Sequence, residues 1–264
     1  MVPQHIVKTF DVDLEQLAQK ITEMGRLVQK QIADAVDALA RYDVRAAENV
    51  VAGDDVIDAI QREIEEKAIL TIARRQPLAI DLRELVGALR ISNDLERVGD
   101  LAANIAKRTL QAGVSPQPNQ VMLGVGRMAK LVLDQLNQVL DSYICRDVAK
   151  ALEVWRNDEQ VDAINNSLFR ELLTYMMEDP RSITICAHLL FCIKNIERMG
   201  DHATNIAEIV YYIVEGRTLQ DERPKADTTP IIGAPPVAGL KPGDGAQEGP
   251  MRLAHQADWA SAQK

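Results

Sequence analysis

Two segments of this chain carry nearly the same arrangement of acidic residues. Both contain Glu-Arg-x-Gly-Asp, which places carboxylates at Glu96 and Asp100 in the first copy and at Glu197 and Asp201 in the second, 101 positions later. Carboxylate oxygens are the ligands that hard cations such as Mg²⁺, Mn²⁺ and iron prefer. Core packing after a duplication preserves apolar residues but gives no reason to preserve Glu-x-x-x-Asp. These four carboxylates are therefore the candidate functional residues.

Helical geometry predicts where these carboxylates point. At about 100° per residue, Glu96 and Asp100 lie about 40° apart and nearly opposite the apolar side of their helix. The second copy has the same geometry, so each copy is expected to present two carboxylates on an outward face. The apolar positions are Ile91, Leu95, Val98, Ala102 and Ile105, matched by Cys192, Ile196, Met199, Ala203 and Ile206.

A solvated charged face is the plain alternative to a metal site. Two acids one turn apart repel each other on an isolated helix, and a bound cation would reverse that penalty. Arg97 and Arg198 argue partly the other way, because each can pair with a neighbouring carboxylate. The matched second copy favours metal ions over the plain alternative. Iron, Mn²⁺ and Mg²⁺ all suit such a ligand set.

The acidic segments fall in a chain whose apolar residues recur with helical spacing throughout. This pattern predicts an all-α fold, with helices at about 11–41, 44–75 and 79–112, then 120–144, 147–178 and 182–217. Two tandem three-helix bundles related by an internal repeat follow. We expect the first repeat over 1–113, the second over 114–221 and a disordered Pro/Gly-rich tail over 222–264.

Composition narrows the class of protein. The chain has 264 residues, of which 47% are hydrophobic and only 4% aromatic, and its formal net charge of −9 disfavours a nucleic-acid partner. Three cysteines without C-x-x-C spacing fit a reducing compartment. With no apolar run of about 18 residues, the chain is expected to be soluble and cytoplasmic, without a membrane span.

Motifs for catalysis are missing from the sequence. The four histidines form no H-E-x-x-H pair, and none has Glu three residues before it, as ferritin-like di-iron bundles require. There is also no P-loop and no G-x-S-x-G motif. These observations favour a protein that is not an enzyme. The alternatives are a di-metal carboxylate metalloenzyme and a metal-free structural or adaptor bundle.

Two three-helix repeats, each with Glu-Arg-Val/Met-Gly-Asp on its third helix, resemble the PhoU family over about residues 8–217. Residues 75–83, Arg-Gln-Pro-Leu-Ala-Ile-Asp-Leu-Arg, also resemble the family's entry to its third helix. The second repeat departs there, because residues 180–185 read Pro-Arg-Ser-Ile-Thr-Ile and lack Asp-Leu-Arg.

The resemblance implies a function and a set of site residues. PhoU-like proteins are all-α, cytoplasmic and often homodimeric, and they repress the phosphate-starvation response when phosphate is ample. Their partners are the phosphate-specific ABC transporter, with its ATPase, and the PhoR-type sensor histidine kinase. Some bind metal through Glu/Asp-x-x-x-Asp motifs. By this resemblance Glu96, Asp100, Glu197 and Asp201 would be the ligands.

Asp58 and Asp162 are weaker candidates for the same role. They occupy matching places in the repeated second helices, where residues 54–60 parallel residues 158–164. Sequence does not indicate whether they face the third helices.

Overall fold

The computed structural model describes residues 4–112 and 118–220, and it confirms the all-α fold. Seven α-helices and one short 3₁₀ helix form the described chain, which contains no strand. In chain order they are α1 (Gln4–Arg41), α2 (Val44–Arg75), α3 (Ala79–Gln111), α4 (Asn119–Cys145), α5 (Val148–Arg156), α6 (Asp158–Glu178), the 3₁₀ helix (Pro180–Ser182) and α7 (Ile183–Glu215).

Helices α1, α2 and α3 pack together as the first three-helix unit. The turn before α2 is capped by Asp43, whose side chain accepts a hydrogen bond from the Ala46 N–H at 3.0 Å. Helix α2 ends at Gln76, which takes a left-handed conformation with φ of 49°, and Pro77 follows. The left-handed conformation of Gln76 and the proline after it together end α2 and turn the chain into α3.

The second unit repeats this plan with one difference from the prediction. The single helix predicted over 147–178 is wrong, because Asn157 separates α5 from α6. The carbonyl of Asn157 accepts a hydrogen bond from the buried Gln135 side chain at 3.2 Å, besides one from the Gln160 N–H at 3.2 Å. Gly53 holds the matching place in α2 and remains helical. A side chain from α4 therefore supports the break.

Helices α3 and α7 pack against each other and join the two units. Their contact is close at Gly87, where a methyl group would come within 2.7 Å of the Ile213 Cγ1 atom. A polar link crosses the same interface. The buried Asp94 carboxylate lies 2.8 Å from the Nδ1 atom of His202 and accepts a hydrogen bond from the Asn205 amide at 3.3 Å. The acid-bearing helices are thus also the central helices of the bundle.

Two parts of the predicted organisation lie outside the described residues. These are residues 113–117, where the first predicted repeat meets the second, and the tail over 222–264. Among the described residues, no helix combines the length and the apolarity needed to cross a membrane.

A pair of glycine variants measures the closeness of the α3–α7 contact. We expect Gly126→Ala, at an exposed site with nothing within 4 Å of the new methyl group, to stabilise the protein by roughly 0.5–1 kcal/mol. Gly87→Ala brings the same gain in helix propensity, but its new methyl group must displace the Ile213 side chain, so we expect a net destabilisation of about 1 kcal/mol or more. Chemical denaturation of both variants measures the difference. Equal stabilisation by both would contradict the close contact.

Candidate functional site

The first acidic motif lies between α2 and α3 rather than on a fully exposed face. Only 23% of the Glu96 side chain is exposed, whereas 41% of Asp100 is exposed. The predicted outward face is therefore only partly right, because α3 packs on α1, α2 and α7 and leaves a narrow arc for polar groups. A cavity of about 250 Å³ opens there, lined by Asp58, Gln61, Arg62, Asn93, Glu96 and Arg97.

Electrostatic coupling joins this first cluster. Burial raises the pKa of Glu96, and the charge of Asp100 raises it further, while Arg97 opposes the shift and Asp58 and Asp54 add to it. The Arg97 guanidinium lies 3.6 Å from the Glu96 carboxylate and 3.8 Å from that of Asp100. The cluster is thus a group of mutually repelling acids that one arginine partly neutralises.

Asp58 and Asp54 bring α2 into the same cluster. Asp58, a weaker candidate from sequence, does face the third helix, since it shares the cavity with Glu96. Asp54 is the residue that the sequence reasoning missed. Burial raises its pKa, a hydrogen bond from Gln31 opposes this, and the charges of Asp100 and Asp58 raise it again. The missed signal was its spacing, because Asp54-x-x-x-Asp58 has the same four-residue interval as the recognised motif.

The second cluster assembles the equivalent residues between α6 and α7. Only 12% of the Glu197 side chain is exposed, and the Lys194 ammonium lies 2.7 Å from its carboxylate. Burial raises the pKa of Glu197, the hydrogen bond from Lys194 opposes this, and the charges of Asp201 and Asp162 raise it. Asp162 therefore also lies near the third helix of its unit.

The two clusters differ at one matched aspartate. In the first unit the Asp54 carboxylate accepts a hydrogen bond from the Gln31 amide at 3.1 Å and remains partly exposed. In the second unit Asp158 is only 3% exposed, and its carboxylate accepts a hydrogen bond from the Thr204 hydroxyl at 3.2 Å. Ala103 stands at the matching place in the first unit. A carboxylate that is available in the first cluster is thus buried in the second.

The two clusters offer ligand atoms that suit a hard cation, since every candidate ligand is a carboxylate oxygen. The described residues nevertheless contain no group of three or more His, Cys, Asp or Glu side chains placed to hold a metal ion. Arg97 and Lys194 lie beside the carboxylates instead. An ion that binds here would therefore have to displace these cations and draw the side chains together.

Two other residues of the repeated segments have structural roles. His202 stands next to Asp201 in sequence, but its ring pairs with Asp94 across the α3–α7 interface. Gly99 allows a close approach of α1 and α2 to α3, because a methyl group there would lie 3.2 Å from Ile57 Cδ1 and 3.3 Å from the oxygen of Gln31. The repeated glycine therefore reflects helix packing in the first unit.

Comparison with family models gives two matches in this chain. The model described as "PhoU domain" matches residues 21–109, within α1–α3 of the first unit, and residues 125–210, within α4–α7 of the second unit. Each match includes one Glu-x-x-x-Asp motif.

Known proteins resemble the chain over most of its length. A Rhizobium meliloti protein named phosphate-specific transport system accessory protein PhoU homolog is 53% identical over 230 residues, covering 87% of this chain and 97% of the relative. Its Caulobacter vibrioides namesake is 49% identical, covering 85% and 97%. The crystal structure of PhoU from Pseudomonas aeruginosa superposes with a TM-score of 0.74 at 39% identity, covering 79% of this chain and all of that one.

A neutral variant tests the coupling in the first cluster. Folding raises the pKa of Glu96, so the Glu96 carboxyl group stabilises the folded protein fully only below its ordinary pKa of 4.5. This stabilisation is lost as the pH rises through the raised pKa of the folded state. In the presence of a chelator, we therefore expect Glu96→Gln to raise the Tm at pH 7 by up to about a few degrees. This advantage should shrink as the pH approaches 4.5.

Thermal unfolding across this pH range measures the effect. Glu65→Gln, which removes one charge from an exposed site on α2, is the control. A Glu96→Gln variant that is less stable than the wild type at pH 7 would contradict the coupling.

Proposed function

The chain belongs to the PhoU family, and we propose that it is a negative regulator of the phosphate-starvation response. In this proposal it acts in the cytoplasm and couples the phosphate-specific ABC transporter to its sensor histidine kinase through protein contacts. It does so without catalysing a reaction. The observation that carries the proposal is the presence of both domain copies in a chain that is 53% identical to a phosphate transport accessory protein.

Two features of the relatives support a regulatory role. The R. meliloti and C. vibrioides proteins are both named as accessory proteins of a transport system. A second solved structure is that of the phosphate transport system regulatory protein PhoU from Streptococcus pneumoniae. It superposes with a TM-score of 0.74 at 31% identity, covering 80% of this chain and 99% of that one. A regulator of this kind needs surfaces for partners rather than a reaction centre.

Metal binding at the two acidic clusters is the second part of the proposal. In the first cluster the ligands would be Glu96 and Asp100, with Asp58 and Asp54 beside them. In the second they would be Glu197 and Asp201, with Asp162. The raised pKa of Glu96 and of Glu197 supports the proposal, because a cation would relieve the repulsion that contributes to each shift. Bound iron, Mn²⁺ or Mg²⁺ would neutralise the clusters and stiffen the α2–α3 and α6–α7 pairs.

Elemental analysis tests the metal proposal. We expect the protein purified without chelator to retain iron, Mn or Mg, and the Asp100→Ala/Asp201→Ala variant to lose it with no change in helicity. A matched control is Asp55→Ala/Glu159→Ala, which removes two exposed acids from matching places beside the clusters. Metal should also raise Tm in the wild type and in this control. Equal metal content in all three proteins would remove these ligands from the proposal.

A reporter assay tests the regulatory role itself. Cells that lack this protein should express a phosphate-starvation reporter even when phosphate is ample, and the wild-type gene should restore repression. The protein should also co-purify with the transporter ATPase and with the kinase. Repression that is unchanged by the deletion would contradict the regulatory role, whatever metal the protein binds.

A further inference from the structure

Exposed apolar side chains on α6 and α7 define a surface of the second unit that we call the α6–α7 groove. Helix α6 exposes Phe169, Leu173 and Met177, which recur every fourth residue and are 48, 39 and 76% exposed. Helix α7 exposes Ile183 and Phe191, which are 48 and 54% exposed. Because a tight turn joins the two helices in opposite directions, Met177 lies near the Ile183 end of the groove and Phe169 near the Phe191 end.

One end of this groove opens into a mostly apolar cavity of about 360 Å³, lined by Asn165, Phe169, Ala187, Leu190, Phe191 and Lys194. The wall of that cavity is supported from the other unit, because the Arg108 guanidinium of α3 stacks 4.2 Å from the centre of the Phe191 ring. This stacking restrains the aromatic side chain and places a positive charge beside the groove.

The first unit lacks this aromatic groove although the repeat provides the same positions. Leu173 corresponds to Ile69, which is 59% exposed. Phe169 corresponds to Glu65, and Phe191 corresponds to Arg90. The exposed aromatic residues are therefore specific to the second unit and are not a general property of the fold.

Exposed apolar surface of this extent is often functional. Five large side chains, each about 40–75% exposed, present roughly 400–650 Å² of apolar surface if a large side chain offers about 150–250 Å². The largest patch on a typical soluble monomer is about 300–600 Å² and often functional. The α6 residues at 169, 173 and 177 span slightly more than two helical turns, which is about the length that i, i+4 and i+7 anchors cover on one apolar helix face.

We propose that the α6–α7 groove binds an amphipathic helix of a partner protein and that charge fixes the direction of this helix. Lys194 and Arg108 lie at the Phe191 end, whereas the exposed Glu178 lies at the Met177 end. The exposed Arg181 also lies at the Met177 end, but it is paired with Asp179 at 3.0 Å, so the net charge of that end is negative. The partner helix therefore carries acidic residues at the end beside Lys194 and basic residues at the end beside Glu178. Because the helix dipole favours acidic residues at a helix N-terminus, we place the N-terminus of the partner helix beside Lys194.

Lys194 can take part while it keeps its own contact. Its ammonium already lies 2.7 Å from the Glu197 carboxylate, but a lysine has three donor hydrogens and can contact a second carboxylate. The groove thus ends beside the second acidic cluster. A partner bound here would contact the same helices that we propose to hold metal. Only the identity of the partner rests on the proposed function; the docking chemistry does not.

A labelled peptide tests the groove directly. The probe is a synthetic helical peptide of about 16 residues with Leu every third or fourth position, Glu at its N-terminal end and Lys at its C-terminal end. Fluorescence anisotropy should show saturable binding to the wild-type protein. Leu173→Lys should weaken binding at least about tenfold, and Ile69→Lys, the same change at the matching place in the first unit, should leave it within about twofold. A peptide with its charges exchanged end for end should bind about tenfold more weakly.

Several outcomes would overturn the proposal. These are no saturable binding, equal weakening by both variants, or equal binding of the two peptides, the last of which overturns the direction. Sedimentation equilibrium of the protein without peptide completes the test. If the protein self-associates and only Leu173→Lys abolishes this, the occupant of the groove is a second copy of this chain. Binding of the transporter ATPase to the protein is measured separately. If the peptide binds at the groove and the ATPase does not bind the protein, the proposed function fails and the groove stands.

Discussion

The packing of α3 against α7 is the contact on which the rest of this structure depends. Each helix must bury one side against its own three-helix unit and another side against the other unit. The approach is close at Gly87, and the Asp94–His202 pair and Asn205 add polar contacts. With two sides buried, only a narrow arc remains for polar side chains. The acidic motifs occupy that arc, and this explains why Glu96 and Glu197 are mostly buried.

The same constraint explains the electrostatics of the clusters. Glu96 is removed from bulk water by neighbouring helices, so burial and the nearby acids raise its pKa together. Such an arrangement costs stability unless a cation compensates, and Arg97 does this only loosely at 3.6 and 3.8 Å. In the second unit Lys194 approaches more closely, at 2.7 Å. Duplication has thus yielded two acidic clusters that are neutralised in different ways.

Divergence of the repeats extends beyond the acids. The second unit has a broken second helix at Asn157 and a buried Asp158 where the first has a continuous helix and Asp54. It also exposes Phe169 and Phe191 where the first unit has charged residues. In the proposed function, these differences let one unit serve partner contact while both retain the acidic motif. A regulator with two partners has a use for such unequal halves.

The sequence by itself determined the helical class, the internal repeat and the family, because apolar spacing and Glu-x-x-x-Asp are local patterns that survive in one dimension. It also predicted that the second helix ends near residue 75 and that the last helix begins near residue 182, as the structure shows. Tertiary structure alone decided how far the acids on the predicted face are exposed, since exposure depends on how many neighbours a helix contacts. It likewise decided that Asp54 joins the first cluster and that Asn157 breaks a helix, because a glutamine from another helix contacts each of them.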